Sequence, residues 1–373
     1  MSPADSAAPS APAAVPTRTP KPRRGRRLGL IVAGVITALV VALAAVSWPT
    51  KPAGAAERSG DAALLARLAG LQGYHRMSVA VVDAGPGGTK VRRADIGADG
   101  GTPYEAGSVT KALTGLVIAD SVRRGELKLD QRVSDLLDVG GSAAGEVPLR
   151  ELVTHSSGYP RLGSKTVLRG QLTRFTAGNP YTADEADLLE EVRAVKPSER
   201  GSYAYSNLGA AVAGQAAARA AGLSYPDLMR TRLFEPLGMS STLVSDREVV
   251  EPGLSERGRE MDPWVMHGYS PAGGVVTTRD ELVLLAEAVL AGRAPGMAAL
   301  TPLAGTDRAS ARIGMFWQTS TRQDLEVVWH NGRTGGYSSF VGFDRKQQRA
   351  VVVLSDVSKS VDDVALDLLS AKS

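Results

Sequence analysis

The feature that most constrains the fold is the position of the strand-forming segments at the two ends of the chain. Two lie early, "RMSVAVVDAG" (76–85) and "TKVRRADIG" (89–97), with a Gly-Pro-Gly-Gly turn between them. Four more follow one another late, "IGMFWQTS", "LEVVWH", "YSSFVGFD" and "RAVVVLSD". Short connections between the late strands predict antiparallel pairing, and two strands alone are not stable. The early pair is therefore expected to join the late strands in one sheet.

The stretch between these strands, about residues 130–300, has the pattern of a mostly helical region with long loops. The segment 159–200 is expected to form a long loop that shapes a cleft. Other helices are expected before the first strand, after the early pair and at the end of the chain. The predicted helices are 61–73, 108–125, 183–194, 207–221, 225–233, 279–291 and 361–371.

An uninterrupted apolar segment lies near the start of the chain. Leu28–Trp48 is "LGLIVAGVITALVVALAAVSW", 21 residues without a charge. A helix of that length, at about 1.5 Å per residue, crosses a hydrocarbon core of about 30 Å. Because the dense positive cluster "KPRRGRRL" precedes it and only Lys51 follows closely, the positive-inside rule places the N-terminus in the cytoplasm and the main domain outside.

These features divide the chain into four parts. Residues 1–27 are expected to be a disordered cytoplasmic tail, 28–48 a single transmembrane helix, 49–60 a linker and 61–373 the main domain. A cleaved signal peptide is the alternative, with "AGA" at 53–55 as the cleavage signal and a secreted product. The apolar segment is longer than the usual h-region of about 7–15 residues, which favours the anchor. The predicted fold class is α/β (α+β): an antiparallel sheet flanked by helices with an inserted all-helical region, preceded by one transmembrane helix.

The positive charge belongs to the N-terminal part of the chain. Residues 1–51 hold seven Lys or Arg and one acidic residue, whereas residues 52–373 hold 36 basic and 38 acidic side chains. A nucleic-acid partner for the main domain is therefore not expected.

Several kinds of catalytic site are disfavoured by the residues present. The chain has no cysteine, which excludes thiol nucleophiles and thiolate metal sites. Its four histidines lie far apart and form no ligand spacing such as H-E-x-x-H, so neither a metal nor a cofactor is expected. No serine lies in a G-x-S-x-G nucleophile elbow.

The segment "AGSVTKA" (106–112) supplies the candidate nucleophile. Ser108 and Lys111 are three residues apart, so on a helix they share a face and can meet within hydrogen-bond reach. A lysine whose pKa is lowered by burial can activate a serine, and the backbone N–H of a helix-opening serine can stabilise an oxyanion. The same spacing also occurs on ordinary surface helices, so the motif needs support from other segments.

Two further segments give that support. "YAYSNLG" (203–209) contains Tyr205, which beside a cation can move a proton, and Asn207, whose amide can fix a substrate carbonyl; the alternative is a turn before a helix. "VWHNGRTGGY" (328–337) places His330 and Gly332 at the end of a strand, where glycine lets a substrate backbone lie along the edge; the alternative is a β-bulge or turn. The N–H of Arg333 could then be a second oxyanion donor.

The order S-x-x-K, Y-x-N, H-x-G resembles the serine β-lactamase and penicillin-binding protein superfamily. The branch it resembles contains class C β-lactamases, D-alanyl-D-alanine carboxypeptidases and related esterases, and the likeness covers roughly residues 62–370. It extends to longer segments, "GSVTKALTGLVIADSVRRGELKLDQRVSDLL", "LRELVTHSSGYP", "YAYSNLGAAVAGQ", "LFEPLGMSSTL", "PAGGVVTTRDEL" and "WHNGRTGGYSSFVGF".

The resemblance implies a role for each matching residue. Ser108 would be acylated, with Lys111 as its partner base, and Tyr205 would pass a proton to the leaving group and activate the deacylating water. Asn207 would position the substrate, His330 and Gly332 would belong to the substrate-facing strand, and Ser108 and Arg333 would form the oxyanion hole.

Two residues depart from the pattern of this branch. His330 stands where its β-lactamases usually have lysine, and a histidine is mostly neutral at pH 7. Arg333 stands where a small residue is frequent; it either narrows the site, supplies the missing charge to a carboxylate or points to solvent.

The expected function is a membrane-anchored extracytoplasmic serine hydrolase, most simply a D-alanyl-D-alanine carboxypeptidase-like peptidase or a related amide or ester hydrolase. Its partner would be a small molecule or peptide: a cell-wall stem peptide, an ester or a β-lactam. A class C β-lactamase and a non-catalytic penicillin-binding or sensor module are the alternatives.

Overall fold

The computed structural model describes residues 31–38, 52–322 and 325–371. The chain divides into two compact units, 1–49 and 50–373. In the first unit, residues 31–38 form a helix, α1. The rest of the predicted membrane span 28–48 and the predicted tail 1–27 lie outside the described residues. Within the described part of the chain, none of the helices has both the length and the apolar character needed to span a bilayer.

The second unit is built on a nine-stranded sheet in which every neighbouring pair is antiparallel. The early hairpin joins the late strands through the pairing of Met77–Gly85 (β2) with Arg349–Ser355 (β14), in which Val81 lies opposite Val351. The prediction that the early strands join the late strands in one sheet is confirmed. In spatial order the strands are β1 Arg58–Gly60, β3 Gly88–Ile96, β2 Met77–Gly85, β14 Arg349–Ser355, β13 Ser338–Asp344, β12 Leu325–Arg333, β11 Gln318–Arg322, β10 Ala311–Ile313 and β9 Ala304–Gly305.

Two details of the sheet differ from the prediction. The segment "IGMFWQTS" is not one strand, because β10 ends at Ile313 and a turn with Phe316 at φ 65° precedes β11. The predicted linker 49–60 contains β1, which pairs with β3, so the sheet begins before residue 61.

Helices cover both faces of this sheet. Val79 and Val81 of β2 face the helices Ala62–Leu68 and Asp362–Ser370 on one side, while Ala80 and Val82 face a larger core on the other. That larger core includes residues of the helices Val109–Arg123, Asn207–Ala221 and Arg279–Leu290. The helices are α2 Ala62–Leu68, α3 Val109–Arg123, α4 Leu149–Val153, α5 Ser164–Thr176, α6 Glu185–Arg193, α7 Asn207–Ala221, α8 Tyr225–Met229, α9 Glu235–Leu237, α10 Ser270–Gly273, α11 Arg279–Leu290 and α12 Asp362–Ser370.

The helix predictions succeed where the apolar pattern is long. The bounds of α7 are the predicted 207–221, and α3, α6, α11 and α12 lie within one or two residues of their predictions. The predicted helix 225–233 is instead α8, a π-helical turn at Arg230–Phe234, and α9. The segment 159–200, expected to be a long loop, contains α5 as well as α6.

The inserted region is not all-helical, contrary to the prediction. It contributes strands to two small sheets whose members are only two or three residues long, too short to show a sequence period. In one of these sheets a strand ends at Glu105, with Ala106 and Gly107 between it and Ser108. The small sheets are β4 Tyr104–Glu105, β8 Val275–Thr277 and β5 Leu243–Val244, and β15 Val357–Ser358, β6 Gly253–Ser255 and β7 Glu260–Met261.

Candidate active site

Ser108 is the residue that opens α3, and it is partly exposed at the end of an otherwise buried helix. The chain reaches it through Gly107, whose φ of 49° lies in the left-handed region that glycine adopts without strain. The side chain of Ser108 makes no capping hydrogen bond to its own helix, so its oxygen is available for other partners.

Two groups donate hydrogen bonds to that oxygen. Lys111, one turn into α3, donates from Nζ to Ser108 Oγ at 3.0 Å and to the carbonyl of Ala272 at 2.5 Å. The Tyr205 hydroxyl donates to Ser108 Oγ at 2.7 Å. Lys111 Nζ also lies 5.0 Å from the centre of the Tyr205 ring. The structure thus brings together the three residues that were predicted to be catalytic.

The electrostatic environment separates the roles of Lys111 and Tyr205. Lys111 is 0% exposed, and its burial, followed by the charge of Arg161, holds its pKa well below the usual 10.5. Burial raises the pKa of the Tyr205 phenol. A neutral amine is a proton acceptor and a protonated phenol is a proton donor. The arrangement can therefore take a proton from Ser108 at one group and deliver a proton from the other.

Asn207 lies at the start of α7, directly after the N-cap residue Ser206, whose Oγ accepts from the Gly209 N–H. The Asn207 side chain donates from Nδ2 to the Tyr181 hydroxyl at 3.2 Å. Its Oδ1 is buried and has no hydrogen-bond partner within the described part of the chain. Because an unpaired buried carbonyl oxygen is costly, this atom is suited to accept an N–H from a bound molecule.

His330 lies on β12 and is buried at 1% exposure. Its Nδ1–H donates to the Asn331 carbonyl at 2.6 Å. Burial, followed by the nearby charge of Lys111, lowers the pKa of His330 to about 3. The ring is therefore neutral at pH 7, as predicted, and carries no charge for a substrate anion.

Gly332, two residues further along β12, is required by the packing of the protein itself. A Cβ here would lie 2.0 Å from the Ala106 carbonyl oxygen and 2.2 Å from Ser339 Oγ. The strand thus presses against the loop that leads to Ser108, rather than leaving open space at this position. Next to it, a Cβ on Gly107 would lie 2.8 Å from the Arg333 nitrogen, which places that N–H beside the nucleophile loop.

The side chain of Arg333 is held by other residues of the protein. Its Nε donates to Ser358 Oγ at 3.0 Å, its Nη2 donates to the Ser358 carbonyl, and Nη2 also lies 3.0 Å from Glu256 Oε2. Of the three roles considered for Arg333, the supply of a free charge to a substrate therefore has no support in these contacts.

Two residues beside Tyr205 were not identified as site residues from the sequence. The ring of His155 lies 4.5 Å from that of Tyr205, and its Nδ1 accepts from the Ser206 N–H at 3.2 Å. Burial, followed by the charge of Lys111, holds the pKa of His155 well below 6.5. The guanidinium of Arg161 lies 5.1 Å from the centre of the same ring. The segment "LVTHSSGYPR" that contains both was the available signal.

A buried carboxyl group supports one wall of the site. Glu105, on β4, accepts a hydrogen bond from the Trp264 N–H, and burial raises its pKa to about 7. The Trp264 ring lies 5.2 Å from that of Tyr181. Glu105 thus fixes the loop that carries Trp264.

A cavity of about 300 Å³ opens beside Ser108. Its lining contains Asn207 and apolar side chains such as Leu162, Tyr181 and Trp264. In the parts of the chain that the structure covers, no group of three or more His, Cys, Asp or Glu is arranged to hold a metal ion. A small acyl compound would fit this space, with its carbonyl near Ser108.

Comparison with known proteins agrees with this geometry. The Beta-lactamase family model matches residues 61–372. The chain is 25% identical over 329 residues to an unguisins hydrolase from Aspergillus campestris, covering 76% of this chain and 59% of that protein. It is 29% identical over 198 residues to penicillin-binding protein 4 from Amycolatopsis lactamdurans, covering 49% of each. The chain thus spans between half and three fifths of the length of these relatives.

Solved structures share the fold. A class C beta-lactamase from Rhodobacter sphaeroides superposes with a TM-score of 0.67 at 20% identity, covering 83% of this chain and 98% of that one. A Beta-Lactamase/D-Alanine Carboxypeptidase from Pseudomonas syringae superposes with a TM-score of 0.66 at 17% identity, covering 80% of this chain and 95% of that one. With the family match over residues 61–372, the chain belongs to the beta-lactamase family.

Proposed function

We propose that the protein is a serine hydrolase that transfers an acyl group from an amide or ester to Ser108 and then to water, in the manner of a D-alanyl-D-alanine carboxypeptidase. The observation that carries the proposal is the pair of hydrogen bonds at Ser108 Oγ, 2.7 Å from Tyr205 and 3.0 Å from Lys111. A serine becomes a nucleophile only beside a base, and here the base is a buried amine with a lowered pKa.

The reaction follows from these positions. Ser108 Oγ attacks the substrate carbonyl as its proton passes to the unprotonated form of Lys111, the form that its lowered pKa favours. The N–H groups of Ser108 and Arg333 stabilise the oxyanion. The C–N or C–O bond then breaks, Tyr205 donates its proton to the leaving group, and the proton on Lys111 restores the phenol. Water attacks the ester on Ser108 with its proton passing to the same groups, which releases the acid and regenerates the serine.

Asn207 supports an amide substrate in particular. Asn207 lines the same cavity as Ser108, and its buried, unpaired Oδ1 is the atom that would accept an N–H from the acyl portion of the substrate. The cost of leaving that oxygen unpaired is removed when such a substrate binds.

The neutral His330 weakens the case for efficient β-lactam turnover and leaves peptidase or esterase action open. With its pKa near 3, the His330 ring offers no cation to the carboxylate of a β-lactam from this strand. A non-catalytic sensor is disfavoured because Ser108, Lys111 and Tyr205 are all present and in contact.

The proposal includes a membrane anchor at Leu28–Trp48, with the catalytic domain on the extracytoplasmic side. Its support is the sequence alone: 21 uncharged residues after a basic cluster. Alkaline carbonate extraction of membranes from expressing cells, with a variant lacking residues 28–48 for comparison, tests it. Release of the intact chain by carbonate contradicts the anchor.

The acyl-enzyme is tested by intact mass after treatment with a fluorophosphonate and, separately, with a labelled penicillin. We expect one adduct per chain with the fluorophosphonate, absent in Ser108→Ala and retained in Ser202→Ala, a matched change at an exposed serine. No adduct with either reagent, or an adduct that persists in Ser108→Ala, overturns the proposal. Assays with D-Ala-D-Ala peptides, nitrocefin and short-chain esters then separate peptidase, β-lactamase and esterase.

A further inference from the structure

The cavity beside Ser108 has an unbalanced charge. Two arginines, Arg161 and Arg333, line it, and none of the described residues that line it is acidic; the buried Glu105 carboxyl lies behind Trp264 and accepts from its N–H. A concave site lined by cations without carboxylates attracts an anionic ligand. Such a ligand would bind the basic side chain whose charge is not already paired within the protein.

Three of the basic residues are already engaged within the protein. The Arg333 guanidinium pairs with Glu256 at 3.0 Å and bonds twice to Ser358, so its charge and most of its donors are used within the protein. His330 is buried and neutral, with Nδ1–H bonded to the Asn331 carbonyl. Lys111 is fully buried, and its Nζ already bonds to Ser108 and Ala272.

Arg161 differs from all three. It is exposed, it faces the ring of Tyr205 at 5.1 Å, and no carboxylate in the described ranges pairs with it. Its five N–H donors can bind both oxygens of a carboxylate at once.

The backbone holds Arg161 in place. Its carbonyl oxygen accepts from the N–H groups of Asn207 at 2.9 Å and Leu208 at 3.2 Å, which ties residue 161 to the first turn of α7. Asn207 and Ser108 line the same cavity, so the guanidinium is carried by a segment that is fixed relative to both. A positioned cation loses less entropy on binding than one on a free loop.

We propose that Arg161 is the anion-binding residue of this site, and that the enzyme prefers acyl substrates with a carboxylate on the α7 side of Ser108, next to Asn207. This inference rests on the proposed serine hydrolase. It assigns the substrate-facing cation to the segment between α4 and α5 instead of to β12. The amphiphilic cavity then fits a substrate with an apolar group and one negative charge.

Reversible boronic acids, which add to an active-site serine without turnover, provide the test. The pair is 3-carboxyphenylboronic acid and its methyl ester, which differ by one charge. Affinities are measured on the 1–373 chain by protection of Ser108 from a fluorophosphonate. The variants are Arg161→Gln, Arg161→Lys and, to test the other arginine that lines the cavity, Arg333→Gln.

We expect the wild type to bind the carboxylate about tenfold more tightly than the ester, since a charge-assisted hydrogen bond contributes about that much. Arg161→Gln removes this preference while binding the ester as the wild type does. Arg161→Lys keeps part of the preference for the carboxylate, and Arg333→Gln keeps all of it. Added salt weakens this preference. If Arg161→Gln binds the methyl ester with the same affinity as the wild type, the variant is correctly folded.

Three results overturn the inference, and a fourth overturns the proposed function. A wild type without preference, or a preference that survives Arg161→Gln or is lost in Arg333→Gln, removes Arg161 from the role while leaving the serine hydrolase intact. Failure of both boronic acids and of the fluorophosphonate to react with Ser108 overturns the proposed function itself.

Discussion

The Tyr205 hydroxyl donates a 2.7 Å hydrogen bond to Ser108 Oγ, which joins two residues 97 positions apart in the chain. Ser108 opens α3, and Tyr205 lies two residues before α7, the helix that packs against α3. The serine oxygen therefore contacts a phenol with a raised pKa and an amine with a lowered pKa. In the proposed mechanism, this opposition allows proton transfer in both directions during acylation and release.

Replacement of Tyr205 by phenylalanine removes only the hydroxyl. Since general acid catalysis contributes about 10²–10⁴-fold, we expect kcat on an amide or ester to fall by that factor, with an unchanged thermal midpoint. Steady-state kinetics at pH 7.5 measures it. Tyr203→Phe, which removes a hydroxyl two residues away, is the control; an equal loss in both variants would show that the Tyr205–Ser108 bond has no special role.

The proposed catalytic residues were predictable from the sequence. Ser108 and Lys111 have a local geometry, and Tyr205 lies in a specific motif. Ser108 and Lys111 meet because residues three apart share a helix face. The bounds of α7 follow from a long run of small apolar residues that ends at Gly222, which has a φ of 67°.

Arg161 was not predictable, because its place depends on contacts between distant segments. Its backbone carbonyl binds the start of α7, some 46 residues later, and no local pattern encodes such a contact. The same holds for the engagement of Arg333 by Glu256 and Ser358. The short strands β4 and β8 were not predicted for a different reason: two or three residues are too few to show the alternation of apolar and polar residues that marks a strand.

His330 makes the stability of the protein depend on pH. Its folded pKa of about 3 lies below the usual 6.5, so the folded state binds fewer protons than the unfolded chain between these values. The stabilisation is complete above pH 6.5 and is lost as the pH falls toward 3. Between pH 7.5 and pH 5 the free energy of unfolding should fall in both proteins. We expect the fall in His330→Asn to be about 1–2 kcal/mol smaller than in the wild type.

Urea unfolding at the two pH values measures this difference. His267→Asn is the control, because it makes the same change at an exposed histidine whose φ of 44° asparagine tolerates. Equal losses in the wild type and His330→Asn contradict a buried, neutral His330.

Arg161 also acts on the base through its charge. It lowers the pKa of Lys111, so its removal raises that pKa and leaves less of the neutral amine at a given pH. The acid limb of the rate of Ser108 labelling by an uncharged fluorophosphonate should therefore move to higher pH in Arg161→Gln. The other groups that face Lys111, which are His155, His330 and Tyr205, remain in place.

Stopped-time labelling between pH 5 and pH 9 gives the two profiles. Arg333→Gln, with its guanidinium paired to Glu256, should keep the wild-type profile. An acid limb that stays fixed in Arg161→Gln, or moves to lower pH, contradicts electrostatic coupling between Arg161 and Lys111.

Gly332 connects the packing of β12 to the chemistry at Ser108. In Gly332→Ala the new Cβ would lie 2.0 Å from the Ala106 carbonyl oxygen and 2.2 Å from Ser339 Oγ, and both neighbours are buried. The strand must therefore move away from the nucleophile loop, which separates the Arg333 N–H from that of Ser108. We expect fluorophosphonate labelling to slow more than about tenfold, since loss of an oxyanion donor costs about 10²–10³ in rate. The free energy of unfolding should also fall by about 1–3 kcal/mol because of overpacking.

Gly305→Ala on β9, where a Cβ meets nothing within 4 Å, is the control and should change neither the labelling rate nor the stability. If Gly332→Ala is destabilised but labels at the wild-type rate, the contact between β12 and the nucleophile loop serves only the fold.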